Sequence, residues 1–129
     1  MKNTLHVYLG NRQRYDVVNP TCAQLAKAVK ELNPTKNNFL ILDYGKPNPD
    51  SFVYIQAATL KQPVRGNKFQ VELRFEDKGY PDFEQYRVFI NDAELLLALF
   101  VAANSGFIPS TTRWENITKE IRDKARRLV

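Results

Sequence analysis

Lys68-Phe-Gln-Val-Glu-Leu-Arg-Phe-Glu76 is the stretch that decides the fold. Successive side chains of a strand point to opposite faces, so Phe69, Val71, Leu73 and Phe75 share one face. Gln70, Glu72, Arg74 and Glu76 share the other. A strand so divided packs one face on a core and leaves the other wet or against a partner, as in an antiparallel sheet.

Neighbouring segments extend the pattern in both directions. Downstream, Asp77-Lys-Gly-Tyr-Pro-Asp82 reads as a turn and Phe83 to Ile90 as the next strand. Upstream, Gln62-Pro-Val-Arg-Gly66 reads as a connection and Ser51 to Ala57 as a strand. Gly45 to Asp50 reads as a turn. Phe39-Leu-Ile-Leu42 is a continuous apolar run, which predicts a central strand buried on both faces. Connections this short favour an antiparallel meander. Thr4 to Tyr8, the turn signal Gly10-Asn11, and Arg14 to Val18 predict an N-terminal hairpin.

Three segments have helical spacing. Thr21 and Gln24 form a capping-box pattern, followed by Cys22, Leu25, Val29 and Leu32 on one side; Asn33-Pro34 stops the run. Asn91 is the expected cap of a second helix, with Glu94 at the box position and Leu95, Leu96, Leu99, Phe100 and Ala103 as its apolar stripe. Asn104-Ser-Gly106 ends it. Thr112 and Glu115 repeat the capping pattern, with Trp114, Ile117, Ile121 and Leu128 along one face of a terminal helix. The expected fold is a single α+β domain over 1–129. It has an antiparallel meander of about five to six strands, counting the hairpin, and three helices packed mainly on one face.

The 129 residues suit one domain and bury roughly two-thirds of the unfolded chain's surface, so no staples are required. One cysteine makes no internal disulfide. The N-terminal residues lack the apolar core of a secretory signal. The longest apolar run, Leu95 to Ala103, is far short of the ~20 residues that span a bilayer. A bacterial cytoplasmic location is expected, as a monomer or a homodimer made through an exposed end strand. The net charge of +5 is uneven: residues 119–129 carry +3 of it, through Lys119, Arg122, Lys124, Arg126 and Arg127 against Glu120 and Asp123.

Catalytic equipment is sparse. His6 is the one histidine and Cys22 the one cysteine, too few for a zinc centre or a thiol–imidazole pair. Cys22 reads as a small buried hydrophobe and His6 as a solvent-facing or structurally satisfied strand residue. Asp43, Asp50, Asp77 and Asp82 lie near turns, where Asp bonds its own backbone, and match no calcium loop. The five glycines are isolated, so no phosphate loop exists. No metal or cofactor is expected. Carboxylate chemistry stays open; Asp43, Tyr54, Glu72 and Arg74 would line its pocket.

Two surfaces qualify for binding. The polar sheet face offers Tyr54, Gln56, Gln70, Glu72, Arg74, Gln85 and Arg87, charges of both signs suited to setting protein specificity. The terminal helix offers Lys119, Arg122, Arg126 and Arg127 to nucleic acid, although cations there also complement a helix C-terminus.

The order of Phe39-Leu-Ile-Leu42, Tyr54-Ile-Gln56, Phe69-x-Val-Glu72-x-Arg74-Phe75, Leu95-Leu-x-x-Leu-Phe100 and Trp114-Glu115-x-Ile117 resembles small immunity-like proteins of bacterial polymorphic-toxin and contact-dependent inhibition systems. The likeness covers residues 39–117. It implies a non-enzymatic module that binds and neutralises one cognate toxin, with no shared catalytic or contact residues to carry over. The basic net charge departs from the acidic, nucleic-acid-mimicking members. The expected function is therefore protein binding of immunity type. A nucleic-acid accessory role and a small carboxylate enzyme are the alternatives.

Overall fold

The alternating pattern at 68–76 sits inside an antiparallel sheet of seven strands, seen in a computed structural model that describes residues 3–45, 52–76 and 82–127. The strands are β1 (Thr4–Leu9), β2 (Arg12–Val18), β3 (Phe39–Asp43), β4 (Phe52–Val64), β5 (Asn67–Phe75), β6 (Glu84–Ile90) and β7 (Glu115–Asn116). The helices are α1 (Cys22–Lys30), α2 (Ala93–Asn104) and α3 (Thr118–Arg127). The order across the open sheet is β2-β1-β3-β4-β5-β6-β7. The turns expected at 45–50 and 77–82 fall, apart from Gly45 and Asp82, outside the described residues, as does Leu128.

Register divides the sheet into two faces. Leu5, Leu42, Ile55 and Leu73 follow one another across four strands, and Val7, Leu40, Ala57 and Val71 do the same one step along. All eight are completely buried. α1 closes this face with Leu25, Ala28 and Val29, and α2 with Leu96, Phe100 and Ala103. Each large apolar side chain removed from water here contributes roughly 1.5–3 kcal/mol. Polar ties hold the C-terminal end of α2 to the segments that follow β3 and β2. The Tyr44 hydroxyl donates to the Ala103 carbonyl, and Asn104 Nδ2 donates to the Pro20 carbonyl at 2.9 Å.

Several expectations need correction. Two strands were missed in extent or existence: β4 runs on to Val64, and β7 precedes α3. Pro63 made 62–66 look like a loop. It is tolerated because β4 overhangs β3, whose pairing stops at Ala58, so the missing N–H costs no ladder bond on that side. The turn itself is two residues, Arg65 and Gly66, both at positive φ and closed by the Val64–Asn67 pair. Phe39–Leu42 is not buried on both faces. Leu40 and Leu42 are in the core, whereas Phe39 and Ile41 are half-buried on the other side. Cys22 is exposed, because the whole first turn of α1 stands clear of the core. The α1 capping box forms as expected, with Gln24 N donating to Thr21 Oγ1 at 3.1 Å and Thr21 N to Gln24 Oε1 at 2.9 Å.

The α2 cap is Asp92 rather than Asn91, accepting from Glu94 N at 2.8 Å. Leu95 is exposed rather than part of the buried stripe. Thr112 and Glu115 do not cap a helix: residues 112–114 turn, Glu115 and Asn116 pair with β6, and α3 starts only at Thr118. No described helix is long and apolar enough to cross a membrane.

Candidate functional site

The second face of the sheet, here the outer face, carries every partner residue that the sequence singled out on the strands. Register places Tyr54 beside Arg74 and Arg74 beside Gln85; one step along, Gln56, Glu72 and Arg87 form a row. The row continues in both directions, through Ile41 to His6 and Asp16, and through Arg87 to Glu115.

At the β5–β6 end this face is not wet. Glu72 is 8% and Gln85 3% exposed, so of the two surroundings expected for this face, water or a partner, these two side chains have the second, within the chain itself. Gln85 is the hub. Its Nε2 donates to Glu72 Oε1. Its Oε1 accepts from the Tyr54 hydroxyl at 3.2 Å and from Arg74 Nη1 at 3.1 Å. Gln70 Nε2 donates to the other Glu72 oxygen at 2.6 Å. Arg74 also donates through Nε to Glu76 at 2.7 Å and lies 4.0 Å over the Phe83 ring. Buried polar groups are tolerable only when so completely partnered.

The segment 115–120 fastens over this network. Gln85 N donates to Thr118 Oγ1 at 3.0 Å, and Ile117 N donates to the Gln85 carbonyl at 2.8 Å. Arg87 pairs with Glu115 at 2.8 Å and with Glu120 at 3.0 Å. Burial works to lower the Arg87 pKa, but the two carboxylates outweigh it and hold it above its ordinary value. Burial pushes the Tyr54 hydroxyl up, against the pull of Arg74.

The structure thus joins Tyr54, Gln70, Glu72, Arg74 and Gln85 into one network and links Arg87 to α3. Gln56 stands half-buried beside Glu72. Asp43 is beside Tyr54 in register, and its carboxylate accepts from Gly45 N at 2.7 Å. Lys119, Arg122, Arg126 and Arg127 are all exposed on α3. Arg122 reaches the Phe83 ring at 5.3 Å, and Arg126 stands 3.9 Å from Asp123. His6 Nδ1 meets Asp16 at 2.6 Å across the hairpin.

Toward β1 and β3 the outer face changes character. Thr4, His6, Tyr8, Phe39, Ile41, Gln56 and Ala58 are all half-buried, in contrast to the fully buried core face of the same strands. Tyr8 and Phe39 pack edge to face with centroids 5.6 Å apart. Sequence reading missed this apolar strip. Its one signal was the unbroken run Phe39–Leu42, read as double burial. Among the described residues, no group of three or more His, Cys, Asp or Glu is placed to hold a metal ion.

No family model, curated protein or solved structure matches this chain.

Proposed function

We propose that this chain is a protein-binding module of immunity type, which neutralises a cognate bacterial toxin by docking it on the outer face of the sheet. The observation that carries the binding part is the half-exposed apolar strip of Tyr8, Phe39 and Ile41, bordered by Gln56 and the His6–Asp16 pair. Aromatic anchors with a polar border are the usual composition of a protein interface. The order of strand and helix motifs over 39–117 supports the immunity part.

The test is co-expression with the toxic domain of a secreted protein encoded next to this gene. A one-to-one complex and rescued growth are expected. Replacing Tyr8 and Phe39 together by alanine should weaken the complex by roughly thirtyfold or more, the effect of losing a hot spot. Absence of a complex at micromolar concentration overturns the reading.

A second reading, nucleic-acid association, is favoured by α3, which buries none of its residues and exposes Lys119, Arg122, Lys124, Arg126 and Arg127. It requires heparin binding that falls steeply with salt and is lost on charge reversal at Arg122, Arg126 and Arg127.

A further inference from the structure

One edge of the sheet is β2. It is the terminal strand, and six of its seven residues, all but Val17, are exposed. Its outer side presents backbone N–H and C=O groups with no strand beside them, a template for another chain. Proteins usually blunt such an edge. Here the edge carries a bulge, since Gln13 pairs with Tyr8 and Tyr15 with Val7 and leaves Arg14 as the unpaired extra residue, and it carries the exposed charges of Arg12, Arg14 and Asp16, which select what can pair there. Tyr15 and Val18, two large apolar side chains, remain exposed along the same strand.

Beside this edge lies a concavity of about 350 Å³ lined by Arg12, Gln13, Arg14, Tyr15, Glu31, Lys36 and Asn37. Asn37 is only 2% exposed, yet its Oδ1 has no hydrogen-bond partner. That oxygen is itself closed to solvent, so the chemistry of the concavity is set by its exposed cations. The cations ask for the opposite group. Arg12 and Arg14 make no ion pair among the described residues, and Lys36 shares Glu31 at 3.4 Å. Asp16 is held by His6 and Gln13.

We propose that β2 and this concavity form a binding site for an extended acidic peptide segment of a partner protein, which pairs with β2 as an eighth strand. Its backbone adds to the free ladder, and its carboxylates meet Arg12, Arg14 and Lys36. A simple anion would satisfy the cations and leave the β2 ladder unpaired. A second copy of β2 would bring two more arginines and a single carboxylate already engaged. The site is separate from the strip of Tyr8 and Phe39 and stands whether or not that strip binds a toxin.

The test uses two synthetic peptides of strand length, one alternating valine with glutamate and one alternating valine with lysine. Fluorescence anisotropy against the whole chain should show binding of the glutamate peptide only. NMR of the labelled chain should show shifts confined to β2 and residues 31–37. The double variant Arg12→Glu, Arg14→Glu should reverse the preference toward the lysine peptide. Both arginines are exposed, and circular dichroism checks that the variant stays folded. Equal binding of the two peptides, or no binding at millimolar concentration, overturns the proposal. A dimer in sedimentation equilibrium that protects the β2 amides would assign the edge to a second copy and overturn it equally.

Discussion

Gln85 concentrates the chemistry of the outer face in one side chain. It is the one residue that donates to Glu72, accepts from both Tyr54 and Arg74, and anchors the 117–118 backbone through its own main chain. Gln85→Ala leaves the main-chain bonds but strips partners from three half-buried or buried polar groups. The expected loss is about 2–4 kcal/mol in urea unfolding, the scale of leaving buried polar groups unmet. Tyr54 gives a pH signature. Its folded pKa is raised by burial, so above about pH 10 the unfolded chain loses this proton first, and stability present below that pH falls as pH rises through the folded value. Tyr54→Phe removes that contribution, and unfolding curves at about pH 9 and about pH 11 should show a smaller drop for the variant. The sequence placed these residues on one face correctly, because alternation alone assigns faces. It could not show that Glu72 and Gln85 are buried. That depends on Thr118 and Ile117 folding back over β6, a contact more than thirty residues away in sequence.

At the scale of elements, the sequence was most legible where a signal is local. The Thr21–Gln24 box and the Gly10–Asn11 hairpin form as read, since each is closed by neighbours a few residues apart. It was least legible where tertiary context overrules a local rule, as with Pro63 inside β4 and the late start of α3. The β4–β5 hairpin shows such an override directly. Arg65 sits at φ 52° in a two-residue turn, a left-handed conformation that a long side chain adopts only at some cost. Asn is the residue that this position of a hairpin prefers. Arg65→Asn is therefore expected to stabilise the chain by about 0.5 kcal/mol, with Gly66 untouched. A raised midpoint in thermal melting with an unchanged circular dichroism spectrum would bear this out. A lowered midpoint would mean that the Arg65 side chain holds something the turn geometry does not reveal.

For the whole molecule, the sheet is closed unequally on its two faces. α1 and α2 seal one face with fully buried Leu25, Leu96 and Phe100, while α3 meets only the β6–β7 end of the other and buries none of its own residues. The apolar spacing of Ile117, Ile121 and Leu128 suggested a helix belonging to the core. Of these, Ile117 is buried but precedes the helix, and Ile121 is only half-buried. The basic helix is thus an attachment to a fold that the other elements already complete. Beyond Thr118, which accepts from Gln85 N, its ties include the pairing of Glu120 with Arg87 and the stacking of Arg122 near Phe83, and contacts of this kind contribute little each. Ending the chain after Thr118 keeps Ile117 and the hydroxyl that meets Gln85. The shortened protein is expected to unfold in one cooperative step with a loss of about 1–2 kcal/mol, compared with about 3–5 kcal/mol for Phe100→Ala in the sealed face. Calorimetry of both variants decides the matter. Should the truncation cost as much as Phe100→Ala, α3 belongs to the core and its cations are structural. If it costs less, the charge reversals at Arg122, Arg126 and Arg127 report on binding alone.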